Sequence, residues 1–139
     1  MFNRPLTDAT DARLRAQRVL PRLVFDYIDG AAGQEVGEAR NREVLRGMAL
    51  QTRILRDVQQ RRLSTTVLGE TADLPFGIAP MGMCNLAWPG ADLMLARLAA
   101  REKVPHGLST VASTSLERVW EAAQGQAWFP LYYSGDGEG

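Results

Sequence analysis

Apolar positions recur at helical spacing through the N-terminal part of the chain. Leu23, Val24 and Ile28 fall on one face of a helix, and Pro21 suits its first turn because the missing N–H needs no partner there. Gly30 is a natural end for this helix. The spacing predicts three helices in all: one capped by Thr10 or Asp11, one from Pro21 to Gly30, and one from Val36 to Arg46.

The third predicted helix and the region after it are more polar. Arg and Glu residues alternate within 35–46 at spacings that suit ion pairs between successive turns. Two extended segments follow at 53–58 and 64–68, and the second has the β-branched content of a strand. Residues 1–70 are therefore interpreted as a helical extension with leading strands.

From residue 74 onward, short apolar runs without alternation are separated by helical patterns, which is typical of a parallel sheet. The runs 74–80 and 104–110 share one frame (aliphatic, Pro, any residue, Gly, aliphatic, small) and lie thirty positions apart, about one βαβ unit. A third run covers 127–132, and helices are predicted at 92–101 and from a cap at Ser113, Thr114 or Ser115 to Gly125. The predicted order is β-α-β-α-β.

Three parallel strands with two crossover helices leave a sheet unfinished, so further strands are expected. A closed (β/α)₈ barrel takes about 250 residues, and this chain of 139 would form only part of one. The Gly-rich acidic residues 134–139 are typical of an exposed loop. They stand where the next helix is expected to begin.

Composition narrows the class of protein. The chain is 45% apolar and 23% charged, with sixteen basic and sixteen acidic residues, which excludes a disordered or collagen-like chain and disfavours nucleic-acid binding. Its single cysteine, Cys84, cannot form an internal disulfide, and the N-terminus lacks the apolar stretch of a signal peptide. No apolar run reaches the roughly 18 residues of a membrane span. These features predict a cytoplasmic setting.

Candidate chemistry lies at the carboxyl ends of the predicted parallel strands, where loops and helix N-termini surround ligands. Those ends present the small residues of 79–83, then Ser109 and Thr110, and then Tyr132 and Tyr133. No phosphate-binding glycine loop, nucleophile elbow or Cys/His metal set is present in the sequence.

Each candidate also has a purely structural interpretation. A Met can fill gaps under a loop, a Ser can serve as a turn hydroxyl or cap, a Tyr can be a core aromatic, and a His within an apolar strand is more often a core residue than a base. These alternatives apply to the following residues: Met81, Met83, Ser109, Tyr27, Tyr132, His106 and Cys84. We expect Cys84 to be a small buried hydrophobe and His106 to take no part in catalysis.

Several segments together resemble the FMN-dependent α-hydroxy acid oxidase and dehydrogenase family, in the family's order and over nearly the whole chain. They are residues 24–32, 41–42, 78–83, 88–90, 108–110 and 128–132. Residues 88–92 are most similar to mandelate dehydrogenases. The resemblance implies the N-terminal portion of a (β/α)₈ TIM barrel, an α/β fold with a helical N-terminal extension, in which 71–139 supply the first three βα units.

The family also implies roles at matching positions. Tyr27 matches a tyrosine that binds the substrate carboxylate, and Tyr132 matches a tyrosine that faces the substrate beside the flavin, where a phenol can donate to an oxyanion. Four residues match the stretch whose backbone lies along the flavin, and a serine matches one that hydrogen-bonds the flavin ring: Ala79, Pro80, Met81, Gly82 and Ser109. The implied cofactor is FMN and the implied substrate is a small 2-hydroxy acid.

The sequence departs from the family pattern at two of these positions. Pro130 stands where the family usually has a glutamine, so it offers no side-chain hydrogen bond to the flavin. Gly82 stands where many oxidases have alanine, which favours a dehydrogenase. The family's histidine base and phosphate-binding residues belong to later strands, so we expect a remaining C-terminal half barrel, on the same or a separate chain, and a homo-oligomer. Some mandelate dehydrogenases associate with membranes through a later loop, so the resemblance leaves membrane association open beside the cytoplasmic setting.

An alternative is a non-catalytic half barrel, a fragment or paralogue that associates with another chain through its exposed strand edge. Pro130 and the tail favour that interpretation, whereas Tyr27, Ser109 and Tyr132 favour the enzyme.

Overall fold

The computed structural model describes residues 5–132 and Gly135. Tyr133 and the predicted tail, apart from Gly135, lie outside the described residues. The chain divides into two compact units, one ending at Asp57 and one beginning at Val58. The division after residue 70 that the sequence suggests stays a prediction.

The first unit contains three helices, as the spacing predicts: α1 (Ala9–Val19), α2 (Arg22–Asp29) and α3 (Val36–Gly47). The predicted cap of α1 is wrong. Asp8 is the N-cap, and its carboxylate accepts from the amide of Asp11 at 2.7 Å. A cap must precede the first helical residue and reach the amide three positions later, and Asp8 has that geometry while Thr10 and Asp11 already lie within the helix.

Ion pairs connect the helices of the first unit. Arg13 on α1 donates through Nη2 to Asp29 at the end of α2 at 2.7 Å, and its guanidinium lies 5.8 Å from the ring centre of buried Phe25. Arg42 pairs with Glu38 one turn earlier in α3, which confirms the predicted pairing along that helix.

The segment 53–58 is not the extended strand that the sequence suggests, since Leu55 adopts a positive φ of 58°.

The second unit begins with an antiparallel hairpin of β1 (Thr65–Val67) and β2 (Glu70–Ala72). Its two-residue turn, Leu68 and Gly69, has positive φ at both positions, which matches the twist of the flanking strands. Three helices follow: α4 (Cys84–Ala87), α5 (Ala91–Glu102) and α6 (Leu116–Ala122). The last begins after Ser115, one of its three predicted caps.

Three parallel segments, residues 74–80, 104–110 and 127–132, alternate with these helices. Ile78 pairs in parallel with His106, and Gly107 pairs in parallel with Trp128. The backbone bonds of these bridges, such as Ile78 N to Pro105 O and Leu108 N to Trp128 O, are 2.8 Å long. The predicted β-α-β-α-β order is therefore confirmed.

The parallel segments form isolated bridges instead of the longer strands that the apolar runs suggest. Each run contains proline, which has no N–H to give to a ladder, at the following positions: Pro75, Pro80, Pro105 and Pro130. These positions cannot donate to the ladder, so the parallel pairing is limited to short bridges.

The core of the second unit lies between the parallel segments and their two long helices. Ala96 on α5, Leu108 on the second segment, and Val119 and Ala123 at α6 form a buried cluster. The alanines let the helices approach the sheet closely, so the bridged segments are held in register from one side.

His106 is buried beside this core at 3% exposure, and its Nδ1 atom has no hydrogen-bond partner. Burial lowers the pKa of the imidazole, and the charge of Asp92 opposes this shift only in part. His106 is thus a neutral core residue, in agreement with its expected structural role.

We predict that acid weakens this fold through His106. As the pH decreases below about 6.5, the unfolded chain binds a proton at His106 before the folded chain does. The free energy of unfolding therefore decreases, by about 1.4 kcal/mol for each unit that the pH is lowered, until the folded pKa is reached. Urea unfolding at about pH 7.5 and about pH 5.5 measures the loss. His106→Gln does not titrate and should lose less stability between the two; an identical loss in both proteins would contradict the prediction.

Candidate functional site

The carboxyl ends of the three parallel segments form one rim, where the implied cofactor residues lie. The first segment and its loop present Ala79, Pro80, Met81 and Gly82, all of them exposed. Ser109 ends the second segment and is buried at 5% exposure. The site therefore has an open backbone surface bordered by one enclosed hydroxyl.

The first two segments approach each other at a glycine. A Cβ atom added to Gly107 would lie 2.7 Å from Pro80 Cδ and 3.0 Å from Pro80 N. No side chain fits at position 107 without moving that backbone. The absence of a side chain is what allows Pro80 to lie against the second segment.

A second close approach lies further along the rim. A Cβ atom added to Gly82 would lie 2.5 Å from Val111 Cγ2 and 3.5 Å from Ser109 Oγ. The amide of Met83 donates to Val111 O at 3.1 Å. The loop after the first segment is thereby joined to the loop after the second, and Gly82 is placed next to Ser109.

The Ser109 hydroxyl has a structural role and spare donor capacity. Its Oγ atom accepts from the amide of Val111 at 3.2 Å, which is the turn contact that the sequence left open. A hydroxyl carries one donor and two acceptor positions, so this contact leaves the hydrogen available to a second partner. Ser109 can therefore stabilise its loop and donate to a ligand at the same time.

The third segment is joined to the rim by Thr110, whose hydroxyl donates to Pro130 O at 2.7 Å. Two residues further on, Tyr132 is 64% exposed, so it is not a core aromatic in this structure. The structure thus brings Pro80, Gly82 and Ser109 together and places Tyr132 at the end of the neighbouring segment.

Tyr27 belongs to the first unit, where it lies exposed on α2 together with Leu23 and Ile28. Its side chain is therefore accessible, as a substrate-binding residue requires. The sequence-based assignment of Tyr27 stays a prediction.

Two further contacts at the rim involve Asn85 and Asp92, which the sequence does not mark as candidate site residues, and their partners Thr114 and Ser113, which it marks only as possible helix caps. Asn85 Nδ2 donates to Thr114 Oγ1 at 3.3 Å, and the amide of Ser113 donates to Asp92 Oδ2 at 3.2 Å. Asp92 is 3% exposed although it is an acid in the first turn of α5. An aspartate in the first turn of α5 was the available signal, but the partner of its carboxylate lies 21 positions away.

Cys84 lies at the start of α4 and is partly buried instead of fully buried, which corrects its expected placement. Its thiol faces Met81 O at 3.4 Å. Burial raises the pKa of the thiol, and the charge of Asp92 raises it further. Cys84 is therefore a protonated thiol at neutral pH and has no nucleophilic activation.

Within residues 5–132 and Gly135, no group of three or more His, Cys, Asp or Glu side chains is placed to hold a metal ion. Over the same residues, none of the helices has the length and hydropathy needed to cross a membrane.

The contact between Gly82 and Val111 leads to a prediction. Gly82→Ala should lower the free energy of unfolding by about 1 kcal/mol, at the low end of overpacking costs because Val111 is half exposed and can move. Val111→Ala should remove most of this cost in the double variant, giving a measurable coupling energy in urea unfolding.

Gly37→Ala is the matched control, since nothing lies within 4 Å of a Cβ atom added at that position in α3. It should leave stability unchanged or raise it by up to about 1 kcal/mol through helix propensity. Additive effects of the Gly82 and Val111 substitutions would show that the two loops do not make this contact.

Comparison with known proteins agrees with this geometry. A family model described as FMN-dependent dehydrogenase matches residues 16–139. The chain is 37% identical over 127 residues to (S)-mandelate dehydrogenase of Pseudomonas putida, covering 91% of this chain and 32% of that protein. It is 39% identical over 127 residues to an L-lactate dehydrogenase of Caulobacter sp. strain K31, with 91% and 33% covered. The chain therefore spans about a third of the length of these relatives.

Solved structures give the same result. A soluble mutant of the membrane-associated (S)-mandelate dehydrogenase from Pseudomonas putida matches with a TM-score of 0.85 and 38% identity, covering 92% of this chain and 37% of that one. Mandelate oxidase matches with a TM-score of 0.86 and 32% identity, with 93% and 37% covered. The α/β class and the N-terminal portion of a TIM barrel are thereby confirmed. The chain belongs to the FMN-dependent dehydrogenase family.

Proposed function

We propose that this chain forms the first part of the FMN-binding barrel of a 2-hydroxy acid dehydrogenase, which oxidises a mandelate-like substrate to the 2-keto acid. The observation that carries the proposal is the rim surface, where Pro80 and Gly82 lie against the second segment beside the buried hydroxyl of Ser109. Membership of an FMN-dependent family supports it.

The rim residues fit a flat aromatic cofactor. Backbone that carries small or no side chains lets a planar ring approach closely, and residues 79–82 are exposed along that surface. Ser109 has a hydroxyl hydrogen to donate, as its Oγ atom already accepts from Val111 N. We propose that Ala79, Pro80, Met81 and Gly82 contact the face of the flavin and that Ser109 donates to its ring.

The substrate residues are the two tyrosines that the family resemblance implies, and a phenol has the donor that each role requires. We propose that the Tyr132 phenol donates a hydrogen bond to the substrate oxygen as charge develops there, and that Tyr27 donates to the substrate carboxylate. FMN, when bound, supplies the redox chemistry by accepting a hydride equivalent from the substrate α-carbon. These side chains bind and orient the hydroxy acid for that transfer.

The hydroxyl proton requires a base, and the chain's one histidine does not qualify. This residue, His106, is buried at 3% exposure within the second segment instead of lying at a strand end, where a substrate could reach it. We propose that a later barrel strand, beyond residue 139 or on another chain, supplies the proton acceptor and closes the barrel. The absence of a side-chain donor at Pro130 leaves Thr110 and the backbone to position the third segment.

A non-catalytic half barrel is the second candidate, and the third segment provides its specific support. Among the described residues, that segment pairs only with the second one, and Leu131 beside Tyr132 is 79% exposed. An open edge of this kind associates with further strands. Stoichiometric FMN in the purified complete assembly would support the enzyme, whereas a stable assembly without flavin absorbance would support the half barrel.

The oligomeric state of the protein and its cytoplasmic setting stay predictions.

Ser109→Ala should weaken FMN binding about tenfold, because it removes one hydrogen bond to the cofactor. Fluorescence titration of the apoprotein of the complete assembly measures the Kd. Ser113→Ala is the control in the same loop, since Ser113 is exposed and its contact to Asp92 uses the backbone amide. Equal Kd values for Ser109→Ala and Ser113→Ala would exclude Ser109 from the cofactor site.

Tyr132→Phe should lower kcat about 10²-fold while leaving the FMN Kd unchanged, because the phenol stabilises charge that develops during the reaction. Tyr27→Phe should act mainly on KM, since a carboxylate contact is made equally before and during the reaction. Steady-state oxidation of mandelate by the complete assembly separates the two effects. Undiminished kcat in Tyr132→Phe would remove Tyr132 from the reaction.

A further inference from the structure

The loops after the first and second parallel segments are joined at four places. Each of these contacts joins a residue within 82–92 to a residue within 111–114. Together they hold the two loops of the rim against each other. They are Gly82 against Val111, Met83 N to Val111 O, Asn85 to Thr114, and Asp92 to Ser113 N. We refer to them as the loop–loop contacts.

Asp92 differs from the other contributors because it buries a charge. A carboxylate taken out of water is costly unless hydrogen bonds and dipoles compensate it. The amide of Ser113 provides one such bond at 3.2 Å, and the first turn of α5 places the carboxylate at the positive end of the helix. The charge of Asp92 also acts on a residue after the first segment and on one within the second. It raises the pKa of Cys84 and opposes the lowering of the His106 pKa.

The position of the amide at Ser113 bears directly on the cofactor surface. Ser113 lies two residues after Val111, whose carbonyl receives the amide of Met83 and whose methyl group faces Gly82. Val111 N in turn donates to Ser109 Oγ. A shift of the Ser113 amide would therefore move both the serine hydroxyl and the backbone of the neighbouring loop.

We propose that Asp92 is a positioning residue for the FMN site, which holds the second loop through Ser113 N so that Ser109 and Gly82 keep their spacing. This inference rests on the proposed function. Asp92 acts through the loop and contacts neither substrate nor cofactor, so its substitution should change how the flavin is held and not the identity of the reacting groups.

The test compares two substitutions at Asp92 in the complete assembly. Asp92→Ala removes the acceptor and should weaken FMN binding at least tenfold and alter the visible circular dichroism of the bound flavin. Asp92→Asn keeps an acceptor oxygen of the same reach and should restore most of the affinity and the spectrum. If Asp92→Ala does not fold, Asp92→Ser, whose acceptor is shorter, takes its place and should bind FMN more weakly than Asp92→Asn and alter the flavin spectrum more.

Val119→Ala is the control for a purely structural role, because Val119 is fully buried in the helix core and absent from the loop–loop contacts. It should lower the unfolding temperature yet leave the FMN Kd and spectrum at wild-type values. The proposal is overturned if Asp92→Ala (or, in its place, Asp92→Ser) affects FMN no more than Val119→Ala does, or if Asp92→Asn gives no rescue. Failure of the unsubstituted assembly to bind FMN would instead refute the proposed function.

Discussion

The backbone of the first rim loop lies against the second parallel segment because Gly82 and Gly107 carry no side chain. At each position an added Cβ atom would come within 2.7 Å or less of a neighbouring atom. At Gly107 the neighbour is Pro80, whose backbone would have to shift, whereas at Gly82 it is the Val111 side chain, which is half exposed and can move at a cost. Gly77 makes a third close approach beside the first bridge, where an added Cβ atom would lie 2.7 Å from Pro105 O. The surface proposed for the cofactor therefore depends on the absence of side chains at these glycines.

Sequence patterns predict the elements of this fold that depend on residues close together along the chain. The shared frame of 74–80 and 104–110 predicts parallel neighbours, and the bridge between Ile78 and His106 confirms them with an offset of two positions, since Ile78 corresponds to Leu108 in the frame. Details that depend on a single atom's reach are less accessible: Asp8 caps α1 instead of Thr10 or Asp11. The apolar runs predict longer parallel strands than the structure contains. Proline is compatible with an apolar run but has no N–H to donate to the neighbouring strand.

The candidate site shows the same division. Small residues at a strand end mark residues 79–82 and Ser109 as cofactor candidates, because the βα architecture places ligands there. Asp92 and Val111 could not be found in this way. Their importance depends on contacts between loops that are far apart along the chain, and an isolated aspartate at the start of a helix has an adequate local explanation in the helix dipole.

In the proposed flavin site, residues that contact the cofactor and residues that position them have different requirements. Groups that touch the cofactor need small size or a spare donor, which Gly82 and Ser109 provide. Groups that hold those residues need to be rigid, and a buried carboxylate on a helix terminus meets that need because its partners are costly to exchange. At position 92 the bond to Ser113 N needs an acceptor oxygen of the right reach, which a carboxylate or an amide can supply. The carboxylate adds a favourable interaction with the positive end of α5, which makes an acid the physically suitable residue where one loop must be fixed against another.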